Sequence, residues 1–296
     1  MDDQKLNDLQ KQYENVPIPK ALDFVVENAL KQGKKKKKRK PQWLIGSAAA
    51  AMLFTASLNI SPAMARTLAD VPVIGSVVKV LTWTKYEVSE ETYNANIQVP
   101  AIKNLENKEL ENALNEQYHA EGKALYEEFT AEVGDLKAHG GGHLGVDSGY
   151  EIKTDNDQIL SIGRYIVNTV GSSSTVIQYE TIDKKNEILL SLPMLFKDDT
   201  YIRIISENIK EQMRTEMISS NQEKTYWIKD VDIADEDLFD DFKSIDARQK
   251  FYITENGKLV ISFDKYEVAP GYMGIIEFEI PTEVLQDVLV SNEYIH

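Results

Sequence analysis

Two histidines four residues apart, His139 and His143, enclose three consecutive glycines. Such a string could be the oxyanion loop of an esterase, which also needs a Gly-x-Ser-x-Gly nucleophile elbow. The nearest string, Gly145-Val146-Asp147-Ser148-Gly149, has its serine out of register. Two imidazoles at this spacing would share one face of a helix and could hold a metal. Three glycines in a row do not sustain a helix, so the stretch reads as a polar surface loop. Adjacent carboxylates such as Glu127-Glu128 and Asp240-Asp241 offer pairs for acid–base work. Among 48 acidic residues such pairs carry no specificity. The chain has no cysteine, which excludes disulfides, thiolate metal sites and a Cys nucleophile. No nucleotide loop, no metal site, no cofactor and no supported enzyme follow from these residues.

The more specific pattern is one on which chemistry would be done. Ala63-Met64-Ala65, followed by Arg66, is the small-x-small string that a signal peptidase cuts, because two of its subsites admit only small side chains. It ends a 23-residue stretch, Trp43 to Ala65, that holds no charge. As a helix this stretch spans about 35 Å, enough for a hydrocarbon core of about 30 Å. Lys34 to Lys40 form an unbroken basic run just before it, whereas only Arg66, Lys79 and Lys85 are basic in the 20 residues after it. That asymmetry keeps the N terminus inside and places the C-terminal part outside, with Trp43 as an interfacial anchor. Forty-two residues precede the apolar run, too many for an ordinary signal peptide. Three readings of the cut site stay open: an odd secretory signal, an anchor with a usable site, and a coincidence of alanine-rich composition.

The elements around this site divide the chain into residues 1–42, 43–65, 66–84 and 85–296. In the first, Leu6, Leu9 and Tyr13 share one helical face, Pro17-Ile18-Pro19 interrupts, and Leu22, Val25, Val26, Ala29 and Leu30 follow at helical spacing. About 30 residues bury too little surface to fold alone, so these faces suit a partner's groove; the plainer alternative is a disordered tail. In residues 66–84, Ile74, Val77, Val78 and Leu81 fall on one helical face. That fits either an amphipathic segment lying on the membrane or the first core element of the outer part.

Residues 85–296 read as α+β: an antiparallel sheet with helices packed on one face. Tyr86–Val99 is strand material. Leu110, Leu114, Tyr118, Leu125, Phe129 and Val133 form a helical stripe, and Ile159–Ile166 and Thr175–Ile182 are rich in β-formers. Ile202, Ile205, Ile209, Met213 and Met217 mark a second helix. Asn256-Gly257 between alternating runs predicts a hairpin. Ile276, Phe278 and Ile280 alternate with Glu277 and Glu279, as in a half-buried strand, and Pro281 opens a short terminal helix.

Charge completes the reading. Residues 1–42 hold 11 Lys/Arg against 6 Asp/Glu, and the remainder 22 against 42, a balance of −20. An outer part this acidic disfavours nucleic acid and favours a basic extracellular partner. An inner arm, a single anchor and an acidic outer part make the build of a receptor. A wall-binding or structural module on a signal anchor is the rival, but it has no use for two amphipathic segments inside.

Phe251-Tyr252-Ile253-Thr254-Glu255-Asn256-Gly257-Lys258-Leu259-Val260-Ile261-Ser262-Phe263, then Tyr266-Glu267-Val268-Ala269-Pro270-Gly271-Tyr272 and a strand ending in Ile280-Pro281, resembles a domain of many secreted bacterial proteins. With Tyr13-x-x-Val16-x-Ile18-Pro19-x-x-Leu22, the basic run and anchor, and Val71-Pro72-Val73-Ile74-Gly75-x-Val77-Val78-Lys79, the whole chain resembles the anti-sigma-V factors, membrane-bound lysozyme receptors of Gram-positive bacteria. The resemblance implies that Leu6, Leu9, Tyr13, Ile18, Leu22, Val25, Val26 and Leu30 hold an extracytoplasmic-function sigma factor inside the cell. It implies that lysozyme, a basic protein, binds outside and exposes Ala63, Met64, Ala65 and Arg66 to signal peptidase. An intramembrane protease then releases the sigma factor. It maps lysozyme contact to Ser172, Ser173 and Ser174 and to Pro270, Gly271 and Tyr272. Related domains often carry a Gly-Gly-x-His-Gly turn at the first of these places; here Thr169 to Thr175 contain no histidine, so chemistry tied to it is absent. By itself a Pro-Gly-Tyr loop is either a rigid exposed aromatic or a tight turn whose tyrosine packs on its own sheet; the resemblance favours the first.

Overall fold

The computed structural model describes residues 78–221, 223–228 and 241–296. The inner arm, the uncharged segment, the cut site and residues 66–77 lie outside the described residues. Among the described residues no helix is long and apolar enough to cross a membrane.

β1 (Lys79–Ser89) and β2 (Tyr93–Lys103) form an antiparallel hairpin, so a turn divides what the sequence presents as one stretch, Tyr86–Val99. Lys79 pairs with Lys103 and Thr82 with Pro100, which makes residues 79–84 strand and not the end of an amphipathic helix. The reason is alternation: Val80 packs inward while Leu81 is 40% exposed.

Asn107 caps α1 (Lys108–Ala138), its side chain accepting from the Leu110 amide. All six residues of the predicted stripe are buried along it. Its 31 residues reach about 46 Å and carry the chain back along the sheet, so the next strand must run parallel to β2. That strand is β3 (Leu144–Asp155), paired from Tyr93↔Leu144 to Ile97↔Ser148. β4 (Ile159–Val170), β5 (Ser172–Asp183) and β6 (Ile188–Leu190) follow antiparallel, giving the spatial order β1-β2-β3-β4-β5-β6. The expected all-antiparallel sheet is thus a mixed one. Helix and sheet approach closely at Gly122, where a β-carbon would fall 2.3 Å from a Val99 methyl.

The chain then forms a second, three-stranded antiparallel sheet, which the expectation of one sheet did not include. α2 (Thr200–Ser219) precedes it, burying Ile205, Ile209, Met213 and Met217. β7 (Lys250–Ile253) and β8 (Leu259–Phe263) meet at the predicted Asn-Gly hairpin, with Gly257 at φ +66°. β9 (Ile276–Ile280) pairs with β8, and α3 (Thr282–Leu285) ends the run. α1 covers one face of the six-stranded sheet. The small sheet sits over the opposite face: the Tyr179 hydroxyl donates to Glu277 and hydrogen-bonds the Ser262 hydroxyl, and Thr154 donates to the Ile253 carbonyl. One apolar core joins α1 to the large sheet, and another joins α2 to the small one.

Candidate functional site

The strand directions give the large sheet two distinct ends. β1 enters at one end, beside the end of β2 and the β3–β4 turn. The β4–β5 turn lies at the other, about 40 Å away along twelve-residue strands. This far end holds the two segments that the sequence singled out.

Gly171 makes the β4–β5 turn at φ +73°, a conformation glycine adopts without strain. Ser172 and Ser174 are exposed and Ser173 is half-buried. Beyond the reach of β6, the outer edge of β5 is paired by the loop after β8. The Lys265 amide donates to the Thr175 carbonyl, and the Ile177 amide donates to Asp264. Lys265 Nζ then donates to both the carbonyl and the hydroxyl of Ser173, at 2.7 and 2.8 Å.

The next residue, Tyr266, has φ +70° and packs against Gly271, where a β-carbon would come within 2.0 Å of its ring. The glycine of Pro270-Gly271-Tyr272 is therefore required by the neighbouring tyrosine. Tyr272 stands 69% exposed, and its hydroxyl donates to the Glu223 carbonyl at 2.9 Å. Thr225 N donates to the Met273 sulfur, which fixes the same turn to residues 223–228. Ser173 and Tyr272 thus belong to one surface, joined through Lys265 and Tyr266. Those two residues were missed by sequence reasoning. Their only signal is an Asp-Lys-Tyr-Glu run between a strand and a Pro-Gly turn. With Val170 at 47% and Tyr266 at 47% exposure, the far end shows apolar groups on a fixed backbone.

Other polar groups are structural. Arg164 is ion-paired to Glu121 and Glu180, each at 2.6 Å, with its guanidinium 4.3 Å from the Tyr118 ring. Burial works against its charge, but Glu180 and then Glu121 outweigh burial and hold its pKa above the ordinary value. The group fastens α1 to β4 and β5, and removing one partner would strand a buried charge. His139 caps α1, and Gly140 and Gly141 at φ +100° and +95° turn the chain away from it. Ser148 lies mid-strand, paired between Ile97 and Ile166, so no elbow forms there. Among the described residues no group of three or more acidic or histidine side chains could hold a metal. The predicted residues at 6–30 and 63–66 lie outside the described residues.

The chain matches a known protein over nearly its full length. It is 48% identical over 294 residues to the anti-sigma-V factor RsiV of Bacillus subtilis (strain 168), covering 99% of each chain. Residues 194–283 match a family described as a protein of unknown function, DUF3298. Two solved structures of that family are similar. One, from Bacteroides fragilis, is 16% identical with a TM-score of 0.47 over 73% of this chain and 94% of that one. The other, from Pseudomonas aeruginosa, is 12% identical with a TM-score of 0.47 over 74% and 96%.

Proposed function

The chain belongs to the anti-sigma-V factor family, and from that premise we propose that it is a membrane-anchored anti-sigma factor that responds to lysozyme. Residues 1–42 hold an extracytoplasmic-function sigma factor on the inner side through the apolar faces at Leu6–Tyr13 and Leu22–Leu30. Residues 43–65 span the membrane once, N terminus inside. The α+β part lies outside and binds lysozyme at the far end of the large sheet, through Ser172 to Ser174 and Pro270 to Tyr272. Binding exposes the bond after Ala65 to signal peptidase. An intramembrane protease then cuts the remnant and the sigma factor is set free.

The observation that carries the outer half of this reading is the convergence of two segments, nearly 100 residues apart in sequence, on the Lys265–Tyr266 pair. An exposed aromatic on a braced turn is the usual anchor of a protein interface. The charge agrees: the −20 balance of residues 43–296 suits a basic ligand. Ligand does not need to touch residue 65. A tenfold gain in the accessible state needs only about 1.4 kcal/mol of differential binding.

The test uses the full-length protein in membranes. It should stay whole without ligand and yield a fragment starting at Arg66 when lysozyme is added. Ala63→Trp or Ala65→Trp should abolish the fragment while lysozyme still binds and the sigma factor stays held. Cleavage without lysozyme, or a fragment starting deep in the outer part, would overturn the reading.

A further inference from the structure

β1 is the free edge of the six-stranded sheet: it pairs with β2 on one side and has no backbone partner on the other among the described residues. It buries none of its eleven residues fully. Edge strands are commonly guarded by a lone lysine whose charge repels an incoming strand. This one carries Lys85 and Glu87 on the same face, paired to each other at 3.0 Å and 47% and 63% exposed. The pair makes the edge complementary to itself. We propose that β1 pairs antiparallel with β1 of a second copy of this chain, with the two-fold axis at Tyr86.

The register rests on three observations. First, β1 has a bulge between Thr82 and Thr84, so the regular part of the edge is Thr84 to Ser89. A two-fold must lie within it. Second, a two-fold perpendicular to the sheet pairs residues of equal parity, so the axis passes through a residue. An axis at Lys85 sets two lysines opposite each other, and one at Glu87 sets two glutamates opposite; both are repulsive. Third, an axis at Tyr86 sets each Lys85 opposite the other copy's Glu87, which forms two cross-strand ion pairs. It also brings the two Tyr86 rings together, each already stacked on its own Tyr126 at 4.9 Å.

Antiparallel pairing inverts the second copy. The far end of one sheet, with its exposed serine and tyrosine loops, then lies at the end where the other copy's chain enters β1. A protein bound at one copy's loops would reach the other copy's membrane-proximal segment, which its own copy presents about 40 Å away. The pairing stands without the receptor function; this consequence rests on it.

The absence of cysteine makes a clean test. Directly opposed residues of an antiparallel pair have Cα atoms about 4.5–5.5 Å apart, within disulfide range. Full-length Tyr86→Cys in membrane vesicles, treated with copper phenanthroline as oxidant and without lysozyme, should give a band of twice the monomer mass. Ser89→Cys, which this register sets away from its own copy, should give at least tenfold less. Adding Lys85→Glu to Tyr86→Cys should cut the dimer band at least tenfold. Adding Glu87→Lys as well should restore it, because the swapped charges are again complementary. Equal crosslinking at 86 and 89, or a charge-swapped protein no better than Lys85→Glu alone, overturns the pairing. Lysozyme capture by each variant, measured in parallel, reports folding and tests the receptor reading separately.

Discussion

The two ends of the six-stranded sheet are built from the same strands and do opposite things with their polar groups. Where β1 enters, carboxylates and amides are buried or half-buried and hydrogen-bonded. Asp183 is 0% exposed and accepts from the amides of Lys185 and Asn186, the Asn186 side chain and the Tyr294 hydroxyl. Glu187 takes the amides of Glu106 and Asn107, and the Asn115 side chain bonds both the amide and the carbonyl of Ile102. At the far end the side chains are hydroxyls and exposed aromatics, and the hydrogen bonds hold the backbone while leaving the rings in solvent. One end spends its polar groups on rigidity and the other presents a surface. A joint near a tether needs the first, and a recognition site needs the second.

The comparison breaks most severely at Asp183. Asp183→Ala leaves four donors without their acceptor, and bonds to a charged acceptor contribute roughly 1.5–3 kcal/mol each before partial rescue by water. We expect a loss of about 3–5 kcal/mol in urea unfolding. Lysozyme affinity of the protein that remains folded should change by less than about threefold, because the loops proposed to bind it lie at the other end. A parallel collapse of affinity at low urea would show that the two ends are one cooperative unit.

The complementary variants sit at the far end. Tyr272→Ala removes an exposed ring with one hydrogen bond, so stability should stay within about 0.5 kcal/mol. Lysozyme affinity, read by calorimetry, should fall by about 2 kcal/mol, roughly thirtyfold. Ser173→Trp should act through the same surface. An indole there removes the hydroxyl that Lys265 contacts and crowds its bond to the carbonyl, and so disturbs the neighbouring ring that rests on Gly271. Unchanged affinity in both variants, with the fold intact by circular dichroism, would remove this surface from the receptor reading.

These expectations depend unequally on sequence. The α1 stripe, the α2 stripe, the Asn-Gly hairpin and the alternation of β9 were legible because each is local: periodicity or turn chemistry settles it within a dozen residues. β3 was not, because Leu144-Gly145-Val146-Asp147-Ser148-Gly149 carries two glycines and little β-branching, and its place is imposed by the helix before it. The division into two sheets was hidden for a similar reason: Tyr179, Thr154 and Glu277 look like surface residues until the sheets face each other. Ser173 and Tyr272 were named from a resemblance. The link between them, Lys265 and Tyr266, is a long-range contact at a non-glycine residue of positive φ, which no local pattern announces.

The smallest effect is expected where the far end is braced from behind. Glu216 accepts from Lys224 Nζ at 2.8 Å and from the Tyr226 hydroxyl, and this fixes residues 223–226, which present the Glu223 carbonyl to Tyr272. Burial alone would raise the carboxyl pKa, but Lys224 and Tyr226 outweigh it and hold it below the usual 4.5. A depressed folded pKa contributes stability that is present above the unfolded value and is lost as pH falls through the folded one. The brace should therefore hold at neutral pH and loosen below about pH 4.5. Its side chain is 33% exposed, so solvent screens the pair and the effect on lysozyme affinity should be under about threefold. Acidification also neutralises many other carboxylates, so the measurement is the ratio of affinities of the wild type and Glu216→Gln. That ratio should favour the wild type at pH 7 and approach one only as the pH falls through the depressed folded value, below the usual 4.5. A ratio that does not change with pH would mean that Tyr272 is held by the backbone alone, and that the surface needs no ionic support from behind.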